Sequence, residues 1–163
     1  GSGYDRGMLT RTFLLALALL PFGQPAAQAA TPAPAASCVS VEDGWIRLPP
    51  APRPMLAGFG RITSKCSDAQ AVVGARSPRF GEVSLHETRV VDGVSRMREL
   101  ERLPLAPGAE AVLQPGGLHL MLMQPAAPAF TEGERVPLVL LLEGGGEVPA
   151  TLVVRPSAPP RGD

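Results

Sequence analysis

Between positions 39 and 154 the chain never sustains a helical period. Nothing amphipathic with a 3.6-residue repeat exceeds about ten residues. Short apolar or alternating runs recur instead about every eight to twelve residues. They are cut apart by Asp43-Gly44, Ser77-Pro78, Asp92-Gly93, Pro107-Gly108, Pro115-Gly116-Gly117 and Gly144-Gly145-Gly146. Nineteen prolines and eighteen glycines reinforce the point, because proline removes a backbone donor and glycine weakens helix interiors. The pattern predicts an all-β domain, a sandwich or small barrel of about eight short strands. Strands are expected over 39–47, 55–63, 69–75, 81–91, 94–103, 109–113, 118–123, 135–143 and 147–154. The segment 48–54, with four prolines, is expected as a loop, and 124–133 as a loop holding one helical turn. Trp45, the single tryptophan, is expected to anchor the core. Gly58 and Gly60, on one face of the second strand, mark a place where another backbone comes close.

The first 29 residues have the layout of a secretory signal peptide. Arg11 supplies positive charge, Thr12 to Phe22 is an apolar run too short to span a bilayer comfortably, and Ala27-Gln28-Ala29 offers small residues for cleavage. Cleavage there leaves one domain: a Pro/Ala linker over 30–38, a folded β domain over 39–154, and a disordered tail over 155–163. No membrane span is expected in the mature chain. Ala35-Ala36-Ser37-Cys38 faintly resembles a lipoprotein cleavage box but lies too far beyond the apolar run. Export makes a disulfide the expected state of the two cysteines, Cys38 and Cys66.

Fifteen basic residues balance fifteen acidic ones and form no block, so the electrostatic footprint of a nucleic-acid binder is missing. Aromatic side chains make up only 4% of the chain, which removes stacking platforms for single strands. Hydrolase motifs are absent as well. Gly93-Val94-Ser95-Arg96-Met97 fails G-x-S-x-G, and His86-Glu87 fails H-E-x-x-H because position 90 is valine. No enzymatic activity is expected.

Both histidines fall between positions 81 and 123, each accompanied by methionine: His86 with Met97, and His119 with Met121. Neutral imidazole and thioether together suit a soft ion, copper(I) first, whereas zinc and iron look for thiolate or carboxylate. In Leu118-His119-Leu120-Met121-Leu122-Met123 the side chains alternate faces. The leucines therefore go to the core, and His119 and Met121 lie side by side within reach of one ion. Met123 shares that face and is expected to guard the site. His86 and Met97 stand on the two arms of the hairpin that turns at Asp92-Gly93. The expected pairing puts His86 near Glu99 and Met97 near Arg89 or Val90. That offset calls for a bulge, a longer loop or a strand that peels away.

The spacing H-x10-M-x21-H-x-M formed by His86, Met97, His119 and Met121 resembles that of the periplasmic copper chaperones called PCu(A)C. Supporting matches are GWIR in the first strand, LHET around His86, LPLAPG after the hairpin, and PGGLHLMLM. The resemblance covers positions 41 to 154 and departs from the family at Ile62-Thr63-Ser64-Lys65-Cys66, where a polar I-x-N-x-G stretch is usual. It implies a cupredoxin-like Greek-key β-sandwich or barrel holding copper(I) through those four residues, with copper(II) left open. It also implies a periplasmic metallochaperone whose partners are copper-accepting envelope proteins, such as cytochrome oxidase subunit II with its CuA centre, or its assembly factors. The rival reading is a β-sandwich adhesion or assembly module of the envelope in which the four residues are incidental.

Overall fold

The structure, a computed structural model, describes residues 38–157, and within them every regular element is a strand. The expected signal peptide lies outside the described residues, as does most of the linker and the end of the tail. The strands are β1 (Val39–Leu48), β2 (Met55–Ser64), β3 (Gln70–Arg76), β4 (Phe80–Val91), β5 (Val94–Leu100), β6 (Leu103–Leu105), β7 (Glu110–Leu113), β8 (Leu118–Pro125), β9 (Arg135–Leu142) and β10 (Glu147–Pro156). Around the molecule the order β4-β8-β2-β1-β10-β9-β3 closes on itself through the bridge between Ala75 and Val83. β7 fits in where β2 parts from β8, so eight strands make a closed barrel of cupredoxin-like architecture. β5 and β6 hang outside the ring, on β4 and β3 respectively.

Period-two alternation builds the interior. Ile46, Ile62, Leu85, Leu122, Leu138 and Leu152 are almost completely buried. In β9 every second side chain, from Val136 to Leu142, points inward. The Asp43-Gly44 interruption is a register shift in the β1–β2 ladder, with Asp43 at φ 51°. Gly60 faces this bulge, and a Cβ there would lie 3.0 Å from the Cα of Gly44. Two bare backbones thus cross where the strand bends, as expected for Gly60.

Three local readings change. The hairpin partner of β4 ends at Leu100, and Leu103-Pro104-Leu105 becomes a separate strand on β3. Its proline is tolerated because β6 is an outer strand. The loop 126–134 contains turns but no helical turn. Arg79 ties it down: it donates to the carbonyls of Ala126 and Pro128, pairs with Glu134 and stacks over Phe130, which Phe80 also stacks against. β10 runs two residues beyond the expected end at 154, because Arg155 and Pro156 still pair with Arg47 and Leu48 of β1.

Cys38 and Cys66 form a disulfide, as expected. The Lys65 amide donates to the Cys38 carbonyl at 2.7 Å, so residue 38 belongs to the folded domain. One sulfur cannot hold both bonds, so this disulfide and a lipid thioether at Cys38 exclude each other.

Candidate metal centre

The site is assembled on three neighbouring strands, with β4 between β5 and β8. Asp92 and Gly93 make a two-residue turn with φ 52° and 77°, between the paired residues Val91 and Val94. This is a type I′ hairpin, whose positive φ values explain the Asp-Gly dipeptide. The tight turn fixes the register: His86 faces Glu99, and Met97 faces Thr88. The expectation that Met97 lies near Arg89 or Val90 is corrected by one to two residues. The consequence is large, because strand side chains alternate. Opposite Thr88, Met97 projects from the same face as His86, and no bulge or peeling strand is needed.

On the other side of β4, His86 pairs directly with His119, and Ser84 with Met121. The imidazoles stack with centroids 5.9 Å apart and planes inclined by 28°. From the far side of β4, the Met97 sulfur reaches His119 Nε2 at 3.1 Å. The structure therefore brings His86, Met97 and His119 into one cluster. Met121 joins them by register, two residues from His119 and on its face. His119 is buried at 7% exposure and Met97 is open at 55%, so the cluster has a closed floor and an open rim.

Each imidazole has one nitrogen engaged by the protein. His119 Nδ1 lies 3.0 Å from the Gly117 carbonyl, which can only accept, so Nδ1 carries the proton and Nε2 presents its lone pair toward Met97. His86 Nε2 lies 3.0 Å from the Ser84 hydroxyl, and its buried Nδ1 has no hydrogen-bond partner. His119 Nε2, with the Met97 thioether beside it, and the unpartnered Nδ1 of His86 are donors that suit a soft metal ion. Among the described residues no group of three or more His, Cys, Asp and Glu side chains is placed to hold a metal. The other donors on this face are the thioethers of Met97 and Met121.

Burial, and then the nearby His119, hold the His86 pKa below its usual value, against smaller opposing effects of Glu99 and Glu82. The neutral form that binds metals is thereby favoured. For the metal-free protein the linkage runs one way. Below about pH 6.5 the unfolded chain binds a proton at His86 that the folded chain resists, so stability falls with pH from there down to the lowered folded-state pKa. Urea unfolding between pH 7.5 and 5 is expected to show this decline. His86→Gln should flatten that part of the profile.

The structure adds Ser84 and Phe59 to the surroundings of the cluster and moves Trp45. Ser84 carries the clearest signal, since it lies two residues before His86 and hence on its face. Trp45 is corrected from the core to the outside: it is half-buried and packs on Phe59 with centroids 4.7 Å apart. Continuing the Gly58–Leu120 register places Phe59 across from His119. Trp45 and Phe59 thus lie beside β8 on the strands next to the cluster. Leu118 is only half-buried, while Leu120 and Leu122 enter the core as expected.

Comparison with known proteins gives two kinds of relationship. Residues 39–154 match the family model described as "LpqE-like: Putative lipoprotein LpqE-like". A protein of Leifsonia xyli subsp. xyli, named "Putative lipoprotein Lxx21020", is 33% identical over 132 residues, spanning 79% of this chain and 76% of that protein. Among solved structures, the copper-bound PCuAC domain from PmoF2 superposes with a TM-score of 0.60 at 19% identity, covering 74% of this chain and 94% of that domain. Apo-DR1885 from Deinococcus radiodurans does so with a TM-score of 0.58 at 26% identity, covering 86% of this chain and 96% of that one. Its copper(I) form matches with a TM-score of 0.54 at 23% identity. The barrel is thus shared with PCuAC domains, while the family match carries another description.

Proposed function

The chain belongs to the LpqE-like family, and from that premise and the cluster on its barrel we propose that it is a copper(I)-binding metallochaperone of the cell envelope. The observation that carries this reading is the convergence of His119 Nε2 and the Met97 sulfur at 3.1 Å, with His86 stacked beside them. His86, Met97, His119 and Met121 are the proposed ligands. Copper is the cargo, and the PCuAC folds found with copper, PmoF2 and DR1885, support that choice. The lipoprotein relatives support an exported location, and we place the protein in the periplasm or its equivalent.

The chemistry follows from the ligands. Thioethers are neutral, soft and weakly basic, so they hold copper(I) without needing to lose a proton. Met97 is exposed on the outer strand β5, the natural first point of exchange. A partner's ligand displaces Met97 first, then Met121, and the buried His119 last. Glu87 pairs with Arg89 and Arg98 on the opposite face of β4 and β5. The proposed recipient is a copper-accepting envelope protein, with the CuA centre of cytochrome oxidase subunit II or its assembly factors as first candidates. Copper(II) is a second cargo to be tested.

Anaerobic competition titration with a copper(I) chelator tests the ligand set. Met97→Ala and His119→Ala are each expected to weaken copper(I) binding by at least the 10- to 100-fold that losing a ligand's supporting partner typically costs. Wild-type affinity in both variants would overturn the site.

A further inference from the structure

Methionine is ordinarily a gap-filler of protein interiors. This chain has five, of which Met55, Met97, Met121 and Met123 fall among the described residues, and none of these belongs to the core. Register places all four on one outer face. Met97 and Met121 share the face of His86, as shown above. Met123 follows two residues after Met121 and pairs with Met55 at the start of β2. Leu56 and Leu122, the alternate residues, point into the barrel. Met55 stands 48% exposed, an unfavourable place for a large apolar side chain with no packing role.

We propose that Met55 and Met123, with Met121 beside them, form a second copper(I) site made only of thioethers, next to the mixed imidazole–thioether site. The inference rests on the copper reading above and extends it. Directly paired strand residues have Cβ atoms about 4.5–5.5 Å apart, and same-face neighbours along a strand are about 6.5–7 Å apart. Three flexible side chains in that triangle can close on one soft ion. The backbone holds the triangle together, since the Gln124 amide donates to the Pro54 carbonyl at 3.0 Å and ties the ends of β8 and β2 beside the two methionines. Glu82 faces Met123 from β4 and supplies a negative charge next to the cation. Lacking imidazole, this site binds more weakly than the first. Met121 lies between the two, so an ion leaving the imidazoles has a thioether foothold already in place. The step is ligand exchange alone, with copper(I) unchanged in oxidation state.

Methionine-methyl NMR of the full chain, titrated anaerobically with copper(I), tests this directly. The first equivalent is expected to shift the Met97 and Met121 methyls. Further copper should shift Met55 and Met123 together, and Met55→Leu should weaken that second event by at least about tenfold. In His86→Gln/His119→Gln protein the Met55, Met121 and Met123 methyls should respond first. If Met55 and Met123 stay still at every ratio while Met97 and Met121 respond, the second site is overturned and the chaperone reading stands. If no methionine methyl of the wild type moves, both fall.

Discussion

Leu122→Ala is expected to destabilise the protein by about 2–5 kcal/mol, the usual cost of emptying a close-packed core position. Leu122 is completely buried, and the barrel wall around it cannot collapse without breaking strand register. Its neighbour Met121 points the other way, half-exposed, from the same strand. Met121→Ala should therefore cost no more than about 1 kcal/mol of stability, while weakening copper(I) binding. Urea denaturation midpoints at constant slope, set beside copper(I) affinities, separate the two effects. Equal destabilisation by both variants would show that the face described as outer is packed, and with it the proposed site would fail.

Cys66→Ser is expected to cost about 3.6 kcal/mol in the chain-entropy model, given the sequence separation of 28 between the bonded cysteines. For a domain of this size that corresponds to a fall in Tm on the order of 10–15 °C. The bond fastens the start of β1 to the end of β2, where Val39 pairs with Ser64. Met55 lies at the opposite end of β2, and the residues of the proposed metal site lie on β4, β5 and β8. Copper(I) affinity at a temperature where the variant is folded should accordingly match the wild type. A large loss of affinity in the folded variant would contradict this separation of staple from site. Thermal unfolding of the oxidised wild type and of the variant, at matched copper-free conditions, measures the first part.

Much of the barrel was legible because its signals are local. Asp92-Gly93 specifies a two-residue turn through its positive φ values, and the alternation of leucine with His119 and Met121 specifies two faces of β8. Gly60 at the bulge belongs to the same class. Errors arose where a neighbour distant in sequence decided the outcome. Leu103 to Leu105 continue the hairpin by pattern, yet β3 recruits them. Trp45 looks like core by residue type, yet the bulge at Asp43-Gly44 precedes it and it packs outside on Phe59.

For the site, the sequence by itself determined the donor types and the spacing: two imidazoles, their thioethers, and His119 with Met121 on one face. Local alternation is sufficient for that, since strand side chains have a period of two. Only the tertiary structure decided that β4 lies between β5 and β8, so that Met97 crosses to His119 and His86 stacks on it. Strand order is set by which apolar faces close a common core, and no short window of residues records that choice. The same ordering placed Met55 against Met123, 68 positions later in the chain, and turned a set of scattered methionines into one continuous sulfur-bearing face.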